Sequence, residues 1–139
     1  MKIVSLTDSL GQSAGGLSHA TFNLASSVAS YKPNYSVSIL CHQDVEEIDG
    51  KKSSFANVNV IKVPCFRNSL YPFSFQLKNR LYELQPDLVH LRGLWRQGSL
   101  VALKWKIKNP TKKLIVQPAG MLEPWARRRK KIQKLFFYR

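Results

Sequence analysis

The sequence predicts an α/β fold with a doubly wound parallel sheet. Five short runs rich in apolar and β-branched residues are bounded by polar or turn residues, and stretches with apolar residues at helical spacing separate most of them. A parallel pair of strands needs a crossover connection, for which a helix is the usual solution. The length agrees: 139 residues can bury one core and leave no room for a second full domain, so residues 1–139 are read as a single domain.

The first strand runs from Ile3 to Leu6, and Leu17, Ala20, Leu24 and Val28 then recur at helical spacing. Val37 to Cys41 is the second strand. Gln43 to Asn57 has no clean period and carries Glu46, Glu47 and Asp49, which reads as a surface loop before a third strand at Val58 to Val63. Pro64 to Pro72 reads as another irregular connection. Leu77, Leu81 and Leu84 mark a helix, Leu88 to Leu91 the fourth strand, Leu100, Leu103 and Ile107 a further helix, and Leu114 to Val116 the fifth strand. Cys41 and Cys65 close strand-like runs and read as buried thiols. A disulfide between them stays open, and neither has a His or Cys at ligand spacing, so no metal is expected.

Charge narrows the partners. Twenty-two Lys and Arg against eight Asp and Glu give +14, which attracts phosphorylated sugars, nucleotides, anionic lipid head groups and nucleic acid alike. The N-terminus reaches a polar turn after too few apolar residues for a signal peptide or a membrane span, so a cytoplasmic location is expected.

In open sheets of this class ligands bind beyond the carboxyl ends of the strands. The first such loop, Asp8 to Gly16, places Gly15 and Gly16 before a helix, where backbone N–H groups and the helix dipole favour a phosphate. Its glycines, at 11, 15 and 16, match neither the dinucleotide fingerprint nor the P-loop, and a plain flexible turn is the competing reading. The fourth loop follows Val89, His90, Leu91 and Arg92. His90 within a strand is more often a core residue than a catalytic one. Arg92, at the strand end beside Gly93, is well placed to pair with a carboxylate or phosphate, and Trp95 either stacks on a sugar ring or plugs the end of the sheet. After the fifth strand, Pro118, Ala119 and Gly120 form a turn, and Glu123, Pro124 and Trp125 start a helix. That helix joins an apolar stripe of Ile132, Leu135 and Phe136 to Arg127, Arg128, Arg129, Lys130, Lys131 and Lys134. The pattern suits an anionic membrane surface or, equally, a helix packed on the sheet with its cations in water.

Three blocks together resemble the N-terminal half of a family 4 glycosyltransferase of the GT-B fold, in the bacterial surface-polysaccharide branch. They are Asp8-Ser-Leu-Gly with Gly15-Gly16, Pro86-Asp-Leu-Val-His-Leu-Arg-Gly-Leu-Trp95, and Pro118-Ala-Gly-Met-Leu-Glu-Pro-Trp125. The resemblance spans essentially all 139 residues and implies a Rossmann-like domain. It further implies metal-free, retaining transfer of a sugar from a nucleotide-sugar donor to a glycan or lipid-linked acceptor, without a cofactor. Carried over by position, Gly15 and Gly16 approach the donor phosphates, His90, Arg92, Gly93 and Trp95 line the acceptor side, and Pro118, Ala119, Gly120 and Met121 border the reacting sugar. Trp125 and the cations after it dock on the inner face of the membrane. The family often has His at the position of Arg92 and a polar residue at that of Ala119, and its donor-binding C-terminal domain has no counterpart in these residues. The domain alone is therefore expected to be inactive without that domain or a partner subunit. The competing reading is a non-catalytic basic domain that binds anionic lipid or nucleic acid, with nucleic acid disfavoured for want of an aromatic recognition motif. A nucleotide-dependent oxidoreductase is disfavoured because His42 and Gln43 stand where an acid is needed after the second strand.

Overall fold

A computed structural model describes residues 1–11, 15–43, 57–66 and 73–128. Its centre is a five-stranded, wholly parallel sheet of β1 (Lys2–Thr7), β2 (Ser36–His42), β3 (Val58–Val63), β4 (Leu88–Arg92) and β5 (Lys113–Gln117), in the order β3-β2-β1-β4-β5. Helices α1 (Gly16–Tyr31), α2 (Gln76–Glu83) and α3 (Gln97–Lys108) make the crossovers β1 to β2, β3 to β4 and β4 to β5, and a short α4 (Pro124–Arg128) follows β5. The chain winds outward from β1 through β2 to β3, then returns to place β4 on the other side of β1. The topological switch point therefore lies between β1 and β4.

Strand alternation divides the side chains between two faces. Val4, Leu6, Leu40, Val89 and Leu91 leave one face and pack with Leu77 and Leu81 of α2 and Val101, Ala102 and Trp105 of α3. Val37 and Ile39 leave the other, against Ala25 and Ala29 of α1. The strand limits reproduce the predicted runs to within a residue or two at each end. Cys41 is buried and Cys65 half-buried, and both are thiols.

The buried faces of two helices differ from the stripes the sequence offers. In α1 the residues turned inward are Ser18, Thr21, Ala25 and Ala29, whereas Leu24 is exposed. Small side chains let the helix lie close to the sheet, and that contact outweighs the burial of one leucine. In α3, Gln97, Val101, Ala102 and Trp105 are buried while Leu100, Leu103 and Ile107 are exposed. Trp105 has the largest apolar surface to remove from water and sets the rotation of the helix. For α2 the predicted Leu77 and Leu81 are the residues that are buried. At β5, beyond α1, Ile115 is 51% exposed and Val116 is exposed on the opposite face.

Candidate functional site

At the carboxyl edge the loops after β1, β4 and β5 meet around the switch point. Gly15 has φ 53° and ψ −135°, a conformation open to glycine and rarely adopted by a residue with a Cβ. It opens α1, whose first turn has no side-chain cap among the described residues, and the space beside Gly15 and Gly16 is clear of other atoms. Ser18 holds the turn by donating from its hydroxyl to the Leu10 carbonyl at 2.7 Å.

The β4 and β5 loops are clasped by Met121. The backbone N–H of Leu94 donates to Met121 Sδ at 2.9 Å, the Trp95 Nε1–H to the Met121 carbonyl at 3.4 Å, and the Gly93 N–H to the Gln117 carbonyl at 2.9 Å. Gly93 has φ 89°, and a Cβ there would stand 3.2 Å from Met121 Cε and 3.9 Å from Leu17 Cδ2. The backbone conformation favours glycine, and a Cβ would in addition press on the end of the Met121 side chain. Trp95 at φ 61° and Ala119 at φ 52° are left-handed without being glycine, a strain that gathers at ligand sites. The turn after β5 closes through the Met121 N–H to the Pro118 carbonyl at 3.1 Å.

Arg92 and His90 leave β4 on the face that α1 partly covers. Arg92 pairs in register with Thr7 of β1 and Gln117 of β5, and His90 pairs with Ser5 and Ile115. Arg92 is 4% exposed, and its Nη1 donates to the Ala20 carbonyl of α1 at 3.0 Å. Burial pushes its guanidinium below the ordinary arginine range. His90 is half-buried. Burial first, and then the Arg92 charge, hold its imidazole below the usual 6.5, against a hydrogen bond with Gln117 that favours the charged ring.

A buried polar network lies on the opposite face. His42, at the end of β2, faces Asp8 Oδ1 through Nδ1 at 3.2 Å and Gln97 Oε1 through Nε2 at 3.1 Å. Gln97 Oε1 also accepts from the Ser74 N–H at 2.8 Å, and its Nε2 donates to the Ser74 carbonyl at 2.7 Å, which fixes the amide's orientation. Arg96 Nε lies 3.6 Å from Asp8 Oδ2. The network ties the loop after β1 to the starts of α2 and α3, and so braces the edge from beneath. The signal available in sequence was the polar residue that closes four of the five strands, Thr7, His42, Arg92 and Gln117.

Of the predicted residues, His90, Arg92, Gly93, Trp95, Pro118, Ala119, Gly120 and Met121 gather at this edge, with Gly15 and Gly16 beside them across Leu17. Trp125 is 63% exposed and Arg128 is exposed on α4. Arg129, Lys130, Lys131 and Lys134 lie outside the described residues, as does the side chain of Arg127. Among the described residues no group of three His, Cys, Asp or Glu side chains is arranged to hold a metal ion, and no helix is long and apolar enough to cross a membrane. Comparison of the chain with protein-family models, curated proteins and solved structures finds no match.

Proposed function

We propose that this chain is the acceptor-side domain of a GT-B-type glycosyltransferase, which transfers a sugar from a nucleotide-sugar donor to a glycan or lipid-linked acceptor. What supports the reading is that the three sequence blocks behind the family resemblance converge at one place, the carboxyl edge of β1, β4 and β5, where Met121 joins two of them and Leu17 abuts the third. In the transfer, the bond from the anomeric carbon to the nucleotide's phosphate oxygen breaks and a bond to an acceptor hydroxyl oxygen forms. The hydroxyl proton is released, and the nucleoside diphosphate leaves. Gly15 and Gly16 border the donor phosphates, and His90, Arg92 and Trp95 hold the acceptor. The donor-binding domain has no counterpart in residues 1–139, so transfer requires it as a continuation of the chain or as a partner. The test supplies such a domain in trans with radiolabelled nucleotide-sugars and a panel of lipid-linked and free glycans. Label should appear in the acceptor with native Met121 and drop at least tenfold with Met121→Ala, a loss in keeping with misplacement of positioned groups. Absence of transfer from every donor and acceptor would overturn the reading.

A second reading has its own observation. Exposed Trp125 and Leu122 stand beside Arg128, an aromatic and apolar edge next to a cation, as at a membrane interface. On this reading the domain is peripheral at the inner face of the cell membrane. Sedimentation with anionic but not neutral vesicles, weakened by salt and by Trp125→Ala, is the expected result; equal recovery with both vesicle types would refute it.

A further inference from the structure

The guanidinium of Arg92 is buried, and among the described residues no carboxylate pairs with it. Its Nη1 has the Ala20 carbonyl, but its Nε is buried and meets no acceptor in the described structure. The described carboxylates that form polar pairs engage other partners: Asp8 contacts His42 and Arg96, Glu83 pairs with Arg80, and Asp87 with Lys112. Beside Arg92 in the parallel register stands Thr7, 3% exposed, whose Oγ1 is likewise buried with no partner. Residues paired this way leave the same face of adjacent strands, about 5 Å apart. Two neighbouring polar groups at the switch point thus have no partner among the described residues, whereas nearly all buried polar groups in proteins have one.

The chemistry of the two groups specifies what is missing. Arginine only donates, and a hydroxyl can donate, so the absent partner is an acceptor. It must also be negative, since a water molecule would satisfy Nε but leave the charge uncompensated. The planar fork of a guanidinium matches a carboxylate or phosphoryl group. On the same sheet face, towards β5, Ile115 and Gln117 are exposed. Bulk charge does not explain such a site. Surface lysines attract anions without burying anything, whereas Arg92 and Thr7 are buried before any anion arrives.

We propose that Arg92 and Thr7 form an oxyanion-binding subsite, which takes a phosphoryl or carboxylate group carried by the molecule bound at the carboxyl edge. In making the acceptor anionic, the inference rests on the glycosyltransferase reading; the subsite itself is tested by binding alone, with no donor, so the two fail separately.

The experiment titrates the ¹⁵N-labelled 139-residue chain, at constant ionic strength, with inorganic phosphate, glucose 1-phosphate and glucuronate, and follows the arginine Nε–H resonances. The Arg92 resonance, assigned by its loss in Arg92→Gln, should move to saturation with one equivalent of at least one probe. A tighter response to glucose 1-phosphate identifies a phosphoryl source, and a tighter response to glucuronate a carboxylate. Thr7→Val, which removes one hydrogen bond and keeps the charge, should weaken the saturating probe about 5-fold. Arg92→Gln should weaken it between about 10-fold and 100-fold. Should Arg92→Gln fail to fold, Arg92→Lys serves for assignment, and the wild-type titration with Thr7→Val decides. Linear shifts spread over many cations with Arg92 unmoved would overturn the proposal, as would a Thr7→Val affinity equal to wild type.

Discussion

Replacing Arg92 with Met should make the protein more stable while destroying its capacity to hold an anion. Methionine keeps the unbranched stem that the site already buries and removes the charge. The guanidinium loses water on burial, a penalty of several kcal/mol for an unpaired ion, and the described structure returns one charge-assisted hydrogen bond, to Ala20, of about 1.5–3 kcal/mol. The open face near β5 lets water polarise towards the charge, which places the net gain at the low end, about 1–2 kcal/mol. For a chain of this size each kcal/mol moves the melting temperature by roughly 3 °C, so a rise of about 3–6 °C is expected. Differential scanning calorimetry in a buffer free of phosphate and carboxylate is the assay, because bound anion would stabilise the wild type and mask the difference. A fall in melting temperature of more than about 3 °C would refute the reasoning, since it would mean that Arg92 has a compensating partner.

Other perturbations follow from the same geometry. His90 is neutral in the folded chain at pH values where the unfolded chain already protonates it, so stability should decline as pH falls below 6.5 and level off once the folded ring also titrates; urea denaturation across that range should show the slope reduced in His90→Gln. Asp87 is held below its ordinary 3.8, chiefly by the Lys112 side chain and then by the Lys2 backbone N–H, so its contribution is present above 3.8 and lost as pH falls below it. Acid-unfolding midpoints of wild type and Asp87→Asn test this: the two should differ in stability near neutrality and converge in acid. Ala119→Gly should relieve the left-handed strain at φ 52° and stabilise by up to about 1 kcal/mol, measured by the urea midpoint, after the entropy cost of the glycine is offset.

Much of the sheet was legible because buried parallel strands are short apolar runs with few competing interpretations. Helix existence was legible too, but helix rotation was not. Leu100, Leu103 and Ile107 form a clean stripe in α3, and so do Val101, Ala102 and Trp105 on another side, so apolar spacing alone does not choose a face. In α1 the inward face is made of serine, threonine and alanine, which a hydrophobicity pattern passes over. At the site, Gly93, Pro118 and Gly120 announced turns, and Arg92 stood out by its position after an apolar run. Thr7 did not, because a threonine ending a strand is ordinary until the register sets it beside an unpaired arginine. The His42 network was hidden for the same reason: its members come from the ends of β2 and of three separate loops, and only the fold brings them together.

The small residues beneath α1 have a reach beyond their own packing. Ala25 and Ala29 set the height at which the helix rides over β2, and the carbonyl that anchors Arg92 belongs to Ala20, about one and a half turns before Ala25 and two and a half before Ala29 on the same helix. An added side chain at Ala29 would tilt that rod and draw the anchor away from the guanidinium, although Ala29 touches neither. Sequence variation at this inner face of α1 is thus able to retune the anion site from a distance, with no change in any residue that meets the ligand.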